Sequence, residues 1–529
     1  MIMSRLGSCV LVAVALLAAT LPGRAQQQAP ALVIGIQQAP SSLDPHHEGS
    51  TPNINALAHL YDCLVEEEAP GVLRPGLALS WRVVGPEAWE FVLREGVRFH
   101  DGTPFVAEDV AFTVERVRGM SATPNPLTPF VRSIRAVEIV EPGRVRITTD
   151  GPNPFLPRDL AYVRMLSRRI HAAAEPRDFA EGRAAIGTGP YRLIRSEPQR
   201  GLELARNEAW FGASQPWSRV TLREIGSPAA RAAALVSGEI DVMERVAVAD
   251  LGWIRGDARL ALSTSPSGEM LFLFPDSTRD ATPFVTDKAG NTLAANPFRD
   301  LRVRRALSLA IDRAALAARV MDGAALPAEQ LNAPGSEGRA ADLPPLAHDP
   351  AAARRLLAEA GFPDGFGVTL HGPRGLYTND AALLQALGQA LARVGMAARV
   401  EALPPQVFTT RANAFEFSLY MFGYNSATAA STIRGLLMTR DPPRGFGTVN
   451  RMRYSNATLD GLMQRALVEL DPAARGDLLA AAQREAVGDM AVVPLLYSVH
   501  AWASRADKLR FQANPLGRTR AMFAAPAQP

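Results

Sequence analysis

The stretch from Trp81 to Val117 constrains the fold of this chain more than any other segment. Residues 90–94 alternate polar and apolar side chains, and residues 97–100 continue that alternation, which predicts a half-buried strand. Asp101-Gly102 then interrupts the pattern with residues typical of a tight turn. A helix is predicted next, because apolar residues recur at helical spacing at Val106, Val110, Val114 and Val117. The stretch holds no nucleophile motif, metal cluster or phosphate loop, so its residues alone indicate scaffold.

The length and charge of the chain limit the class of protein. At 529 residues it is several times longer than a single-core domain of about 100–200 residues, so two or three lobes are expected. A content of 47% hydrophobic and 21% charged residues is ordinary for a soluble globular protein. Only two residues are lysines, and no basic cluster with interleaved aromatics indicates a nucleic-acid partner.

Residues 1–25 are typical of a secretory signal peptide. Arg5 precedes an apolar core from Cys9 to Ala19, which is about half the ~20 residues of a membrane-spanning helix. Without this segment the formal charge falls from +3 by two arginines, and the chain is nearly neutral. Cys63 is then the only cysteine, so stability has to come from large cores rather than from a disulfide. We predict an exported protein, periplasmic if the source is Gram-negative.

The central stretch also closely resembles a family pattern. Residues 91–112 read F-x-L-R-x-G-V-x-F-H-D-G-x-P-x-x-A-x-D-V-x-F, which is similar to the hallmark of the extracellular solute-binding proteins, family 5. These are the receptors of peptide- and nickel-type ABC importers. Residues 297–313 resemble a second family segment, P-F-x-D-x-R-V-R-x-A-x-x-x-A-I-D-R. Shorter resemblances follow in order along nearly the whole chain, at residues 42–45, 187–191 and 234–241.

The resemblance implies an α/β fold of the two-lobed periplasmic binding protein type (type II), with an extra subdomain and a hinge between the lobes. The expected division is a first lobe of residues 26–60, 185–268 and 490–529, an extra α/β subdomain of residues 61–184, and a second lobe of residues 269–489. The resemblance also implies chain crossings near 186–191 and 265–275, with a return around 490–500. Asp300 is a plausible N-cap, and the arginines of the helix it opens are expected mostly on one solvated face.

Ligand contacts are expected mainly in two loops. The resemblance places the first loop, which we take as His47, Glu48, Gly49, Ser50 and Thr51, beside the ligand cleft. The second loop ends a predicted strand and comprises Phe422, Gly423, Tyr424, Asn425 and Ser426. Tyr424 would stack on the ligand or hydrogen-bond to it, while Asn425 and Ser426 would supply neutral hydrogen bonds. The alternatives are a solvated first loop and a core role for Tyr424 at a strand end.

Three further residues are candidate contacts. Tyr377 lies in a loop that leads into a predicted helix, and Arg434 and Arg440 could meet a ligand carboxylate bidentately. Solvated positions for both arginines are the alternative. Peptide receptors of the family commonly carry an Asp in the second loop, which pairs with the amino terminus of the peptide. Residues 422–430 contain no acid, so recognition of a free amino terminus by this loop is not expected.

The chain shows no local motif for catalysis or metal binding. It lacks G-x-S-x-G, H-E-x-x-H, C-x-x-C and the phosphate-binding G-x-x-x-x-G-K-[ST], and its eight histidines have no ligand spacing. We predict a binding protein without catalytic residues, metal or cofactor, which holds a small-molecule or peptide-like ligand. Its expected partner is an ABC permease in the inner membrane, and a monomer is expected. The alternatives are a secreted hydrolase of peptides or small esters, and a binding protein that serves a chemoreceptor.

Overall fold

A computed structural model describes residues 30–527, except residues 121, 122, 124, 198, 199 and 427. The predicted signal peptide therefore lies outside the described residues. In the part of the chain that is described, no helix is both long and apolar enough to span a bilayer.

The described strands, in chain order, are β1 (Ala31–Ile36), β2 (Val65–Ala69), β3 (Val72–Pro75), β4 (Ala78–Gly85), β5 (Ala88–Leu93), β6 (Ile134–Glu141), β7 (Arg144–Thr149), β8 (Tyr191–Glu197), β9 (Gly201–Arg206), β10 (Arg219–Glu224), β11 (Val242–Met243), β12 (Leu260–Pro275), β13 (Val285–Thr286), β14 (Ala325–Pro327), β15 (Phe366–Pro373), β16 (Met396–Leu403), β17 (Leu419–Asn425), β18 (Val493–Arg505), β19 (Leu509–Phe511) and β20 (Ala524–Pro526).

The described α-helices are α1 (Thr51–Leu57), α2 (Ala107–Gly119), α3 (Thr128–Val131), α4 (Leu156–Asp159), α5 (Arg168–His171), α6 (Pro176–Ala180), α7 (Pro228–Ser237), α8 (Val248–Gly256), α9 (Leu301–Leu309), α10 (Arg313–Ala315), α11 (Pro350–Glu359), α12 (Asp380–Ala392), α13 (Pro405–Asn413), α14 (Ala429–Leu436), α15 (Ala457–Ala466) and α16 (Pro472–Gly488). Short 3₁₀ turns lie at Leu160–Tyr162, Pro297–Arg299, Pro442–Arg444 and Ala521–Phe523, and a π turn lies at Leu316–Val320.

One mixed sheet runs through both lobes of this α/β fold. Its order is β13-β15-β17-β12-β18-β11-β1-β10-β9-β8, with β16 beside β15 and β14 beside β18. Strands β15 and β16 pair in parallel and are connected through α12, which makes a strand–helix–strand unit. One buried core lies under β1, β9 and β10, and two larger cores lie on the β15–β17 side.

The long antiparallel pair β12–β18 connects the lobes. Residues 260–266 pair with residues 499–505 beside β11, and residues 270–273 pair with residues 493–497 beside β17. The register shifts between Pro266 and Met270, so the pair is irregular where it passes from one lobe to the other. Both strands lie where the resemblance implied a crossing and a return.

The segment at 186–191 packs directly against the end of the first-lobe segment at His59 and Leu60. The backbone N–H groups of Gly189 and Tyr191 donate to the carbonyls of Leu60 and His59, at 2.9 and 2.8 Å. Gly187 packs so closely against Leu60 that a Cβ would clash with its carbonyl oxygen. The chain therefore crosses here from the residue 61–184 region back to the sheet of the first lobe, whereas β12 and β18 run between the two lobes.

The stretch at 81–117 forms part of a separate four-stranded antiparallel sheet, β4-β5-β7-β6, on which α2 packs. The helix prediction is confirmed, with Val110, Val114 and Val117 buried. The strand, however, ends at Leu93, because Gly96 has a φ of +74°. Residues 97–100 therefore form a turn region with one isolated bridge, between Arg98 and Pro104.

The arginines of α9 divide between two environments. Asp300 caps the helix as expected, since its side chain accepts from the N–H of Arg302. Arg304 is buried, against expectation, and pairs with Asp489 at 2.6 Å. Its guanidinium also donates to the carbonyl of Phe298 at 2.8 Å, so this charge holds the helix against the end of α16.

Candidate functional site

The two predicted loops meet at a cavity between the lobes. Gly49 and Thr51 of the first loop and Tyr424, Asn425 and Ser426 of the second all line this space of about 470 Å³, which we call the inner cavity. The two groups of residues are far apart in sequence, and the fold of the two lobes brings them together. Their role in ligand binding remains a prediction.

Strand β12, which runs between the lobes, positions the second loop. Tyr424 and Asn425 end β17, opposite Met270 and Glu269 of β12. The N–H of Ser426 then donates to the carbonyl of Gly268 at 3.0 Å. A Cβ on Gly268 would lie 2.6 Å from the Ser426 carbonyl oxygen, so the two backbones approach as closely as only glycine permits. The loop is thereby attached to the strand that crosses between the lobes.

The side chains of the second loop alternate between two faces of the sheet. Tyr424 lies at the cavity, and burial raises the pKa of its hydroxyl. Gly423 faces the other way, where its carbonyl accepts from the Tyr377 hydroxyl at 2.9 Å. Tyr377 does not line the inner cavity, since it packs behind the loop. Phe422 points to the same face as Tyr424 but lines neither cavity, because it packs in an aromatic cluster and lies under the guanidinium of Arg451, at 4.8 Å.

The hydroxyl of Ser426 is committed to the backbone. It donates to the carbonyl of Thr428 at 3.0 Å. Thr428 in turn caps α14 by accepting from the N–H of Ser431. Asn425 is exposed, so its amide is the neutral group of this loop that is most available to a ligand.

Only part of the first loop reaches the inner cavity. The carboxylate of Glu48 accepts from Ser41 and Asn125, at 2.5 and 3.2 Å, and the Ser41 bond lowers its pKa. His47 and Ser50 do not line the inner cavity, and Ser50 stands instead at the N-cap of α1. His47, Glu48 and Ser50 thus shape the loop, whereas Gly49 and Thr51 face the space.

An ion pair holds the buried residues that precede the first loop. Arg116 of α2 forms a bidentate pair with Asp44, at 2.9 and 2.6 Å. The neighbouring His46 contacts the carbonyl of Arg164 at 2.8 Å, and burial lowers its pKa to about 4. A neutral His46 is therefore expected at pH 7, as a structural group.

The two predicted arginines lie in different places. Arg434 lines a second space of about 670 Å³, the outer cavity, where it donates to the carbonyls of Gly445 and Arg444. Arg440 lines neither cavity. It is exposed, donates to the carbonyls of Gly447 and Thr448, and lies 5.5 Å from the ring of Phe415. Arg440 therefore lies outside the cleft, whereas Arg434 lies in it.

Sequence reasoning missed the wall contributed by the residue 61–184 region. Phe130, Arg158, Asp159 and Tyr162 line the inner cavity together with Arg518 from the chain end. The only sequence signal for the residues of this region is nearby proline, before β6 for Phe130 and between β7 and β8 for the other three, and proline marks loops without indicating what they face. The guanidinium of Arg158 lies 3.5 Å from the hydroxyl of Thr428 across the cleft. Such a contact between distant residues can be seen only in the tertiary structure.

A buried carboxylate organises that wall. Glu67 accepts from Arg158 and from the hydroxyl of Tyr162, both at 2.9 Å, and its side chain is fully buried. Arg518 lies 3.7 Å from the same carboxylate and donates to the Glu67 carbonyl at 2.7 Å. Glu67 therefore fixes two guanidinium groups at the cavity surface and partly neutralises them.

An acid reaches the inner cavity from outside the second loop. Burial raises the pKa of Asp159 to about 7, so the group is partly protonated at neutral pH. The second loop is neutral, as expected, but Asp159 could supply a carboxylate that the loop lacks. Within the described residues, no group of three or more His, Cys, Asp or Glu side chains is placed to hold a metal ion.

Two α/β lobes, a hinge made of paired strands and a polar and aromatic cavity between the lobes together define a two-lobed solute-binding protein. The chain belongs to the bacterial extracellular solute-binding proteins, family 5, whose model for the middle region matches residues 72–434.

Known proteins resemble this chain over most of its length. The glutathione-binding protein GsiB of Escherichia coli (strain K12) is 27% identical over 472 residues, covering 85% of this chain and 86% of GsiB. HbpA2 from Haemophilus parasuis has a TM-score of 0.81 at 21% identity, covering 94% of this chain and 100% of HbpA2. The periplasmic murein tripeptide binding protein MppA, in its unliganded open form, has a TM-score of 0.80 at 20% identity, over 94% and 98% of the two chains.

Proposed function

We propose that this protein is the periplasmic receptor of an ABC importer, and that it captures a peptide-sized polar solute between its lobes. The observation that carries the proposal is the inner cavity, to which both lobes contribute. Gly49 and Thr51 come from one side, and Tyr424 and Asn425 come from the other. A solute in this space would contact both lobes at once and so favour their approach.

The size and lining of the cavity support a peptide-sized ligand. A volume of about 470 Å³ falls within the usual range of about 300–1,000 Å³ for small-molecule sites. Phe130 and Tyr424 offer aromatic surface, and Asn425 offers an amide. One relative is named for binding glutathione and one structural neighbour for binding a murein tripeptide, which are both tripeptide-sized solutes.

Solute transfer would depend on a change of shape rather than on a bond-breaking step. The β12–β18 pair is continuous between the lobes, and its irregular register at 266–270 is the candidate hinge. The second loop is bonded to Gly268 of that hinge, so a ligand on Tyr424 would act directly on the strand that must bend. The closed form would then deliver the solute to the membrane permease. A monomeric receptor without catalytic residues or cofactor is sufficient for this role.

A thermal-shift screen of residues 26–529 against peptides, glutathione and non-peptide solutes tests the proposal. A solute at about 100 times its Kd should stabilise the folded protein by about 2.7 kcal/mol and raise its melting temperature. Tyr424→Ala should weaken the interaction by about tenfold or more, because a buried aromatic contact is lost. Tyr377→Phe is the matched control, since it removes one hydroxyl behind the loop and should leave affinity almost unchanged.

The outcomes separate the parts of the proposal. A solute that binds wild type and Tyr424→Ala equally would place the ligand elsewhere and contradict the inner cavity. Binding confined to peptides with a free amino terminus would show that a group other than the second loop, such as Asp159, recognises the ammonium. Asp159→Asn should then abolish that preference.

A further inference from the structure

The outer cavity adjoins the inner one and lies between the residue 61–184 region and the second lobe. The two share Phe130, Arg158, Asp159 and Ser431. Arg132 and Asp150 stand on one side of the outer cavity, while Arg434 and Arg444 stand on the other. Its volume of about 670 Å³ would accommodate a part of the solute that extends beyond the inner cavity.

The charges that face this space are unbalanced. Four guanidinium groups line it, against the carboxylates of Asp150 and Asp159. The charge of Arg158 is offset by buried Glu67, with which it forms an ion pair at 2.9 Å. Arg132, by contrast, is exposed and makes no ion pair with any carboxylate in the described part of the chain. Arg444 is exposed as well, but its guanidinium lies 4.7 Å from the centre of the Phe446 ring. The outer cavity is therefore positive, with Arg132 as its most available cation.

Arg434 is the partner of Arg132 across the cleft. Its guanidinium donates to the carbonyls of Gly445 and Arg444, at 3.3 and 3.2 Å, which fixes it against the ring of Phe446. Burial lowers the pKa of Arg434, and the like charge of Arg132 adds to this effect. Since one group belongs to each wall, their repulsion opposes closure of the empty cleft.

We infer that the outer cavity binds an acidic group of the solute, a carboxylate, between Arg132 and Arg434. This inference rests on the proposed receptor function and narrows its ligand to carboxylate-bearing solutes. A carboxylate has two oxygens that can each accept from a different guanidinium, so one group can bridge the walls. Binding replaces a repulsion between the walls by two attractions, and the acid thereby favours the closed form. A neutral solute of the same size lacks this contribution.

Glutarate tests the acid site without knowledge of the natural solute. At low ionic strength, we expect glutarate to raise the melting temperature of wild type, and its uncharged diamide glutaramide to leave it unchanged. Arg132→Gln and Arg434→Gln should each weaken glutarate binding by about tenfold. Arg440→Gln is the matched control, since Arg440 also donates to two carbonyls and packs over a phenylalanine ring outside both cavities.

Arg132→Gln decides the test if Arg434→Gln fails to fold, because Arg132 is exposed and its loss should not disturb the fold. No glutarate effect on wild type, or an equal effect in wild type, Arg132→Gln and Arg440→Gln, would overturn the inference. Failure of the receptor proposal looks different. In that case no solute in the screen would show binding that is weakened by Tyr424→Ala, whether or not glutarate raises the melting temperature.

Discussion

At the scale of single residues, some buried arginines of the described chain fix the backbone rather than meet a ligand. Arg304 donates to the main-chain carbonyls of Phe298, Arg299 and Asp489. Arg231 is almost completely buried and donates to the carbonyls of Ile225 and Gly226. An arginine that is exposed in the cleft and has no such duty, as Arg132 is, therefore stands out as available to a solute.

Two buried histidines can test how much a buried ring without hydrogen bonds costs in stability. His371 is completely buried and stacks 4.4 Å from Phe417, and among the described residues neither ring nitrogen makes a hydrogen bond; the nearest charged group is the Glu401 carboxylate, 3.6 Å from Nε2. His371→Phe should stabilise the protein by about 1 kcal/mol at pH 7, because the cost of burying unpaired polar atoms is removed. Chemical denaturation at pH 7 measures this change.

His171 supplies the matched control for that substitution. It is buried to a similar degree, but its ring nitrogens lie 3.0 and 3.1 Å from the carbonyls of Ser167 and Ala184, so the single N–H of the neutral ring has an acceptor in either tautomer. His171→Phe should therefore destabilise the protein by about 1–3 kcal/mol. If the two substitutions changed the free energy of unfolding by equal amounts, satisfaction of the ring nitrogens would not be the cause.

At the scale of elements, the β12–β17–β18 group both joins the lobes and carries the second loop. The loop is attached at Gly268, within the irregular part of β12. The geometry of the site is therefore coupled to the geometry of the hinge.

Gly268→Ala tests that coupling. Its Cβ would lie 2.6 Å from the Ser426 carbonyl oxygen and 3.0 Å from Oδ1 of Asn425, so the loop or the strand has to shift. We expect the affinity for the solute found in the screen to fall by about tenfold, or about 1.4 kcal/mol. Isothermal titration calorimetry measures the change.

Gly252→Ala in α8 is the matched control for that change. A Cβ there meets nothing within 4 Å, and alanine is the better helix former, so stability should rise by about 0.5–1 kcal/mol without loss of affinity. Unchanged affinity in Gly268→Ala would show that the loop moves independently of the hinge.

At the scale of the whole molecule, buried ionisable groups set the response to pH. Burial lowers the pKa of five histidines to about 4, namely His46, His59, His100, His371 and His500. Between pH 4 and 6.5 the unfolded chain binds more protons at these positions than the folded chain. The stability that the neutral histidines contribute to the folded state is therefore lost as the pH falls. Asp62 and Asp159 act in the opposite sense, because burial raises their pKa values to about 7.

The five histidines outnumber the two aspartates, so the melting temperature should fall as the pH decreases from 6.5 to 4.5. Asp62→Asn should make this fall steeper, because it removes one group that offsets the histidines, and His371→Phe should make it shallower. Differential scanning calorimetry at four pH values measures the three slopes. A melting temperature that rises on acidification would contradict the assignment of neutral buried histidines.

The sequence by itself determined the local elements and their family pattern. Helix α2 and the Asp300 cap follow from periodicity and capping chemistry, which act over a few residues. The early end of β5 could have been read from Gly96, whose backbone needs a positive φ. The two loops at the inner cavity came from the family resemblance and not from any local rule.

Only the tertiary structure decided which side chains of those loops face the solute. Successive residues of a strand point to opposite faces, so whether Gly423 or Tyr424 meets the cavity depends on the register of β17 against β12. Arg132, Arg158 and Asp159 join the cleft through contacts that span some 270 residues, which no local pattern encodes. The same reason separates Arg434 at the outer cavity from Arg440 on the surface, although only six positions divide them in the chain.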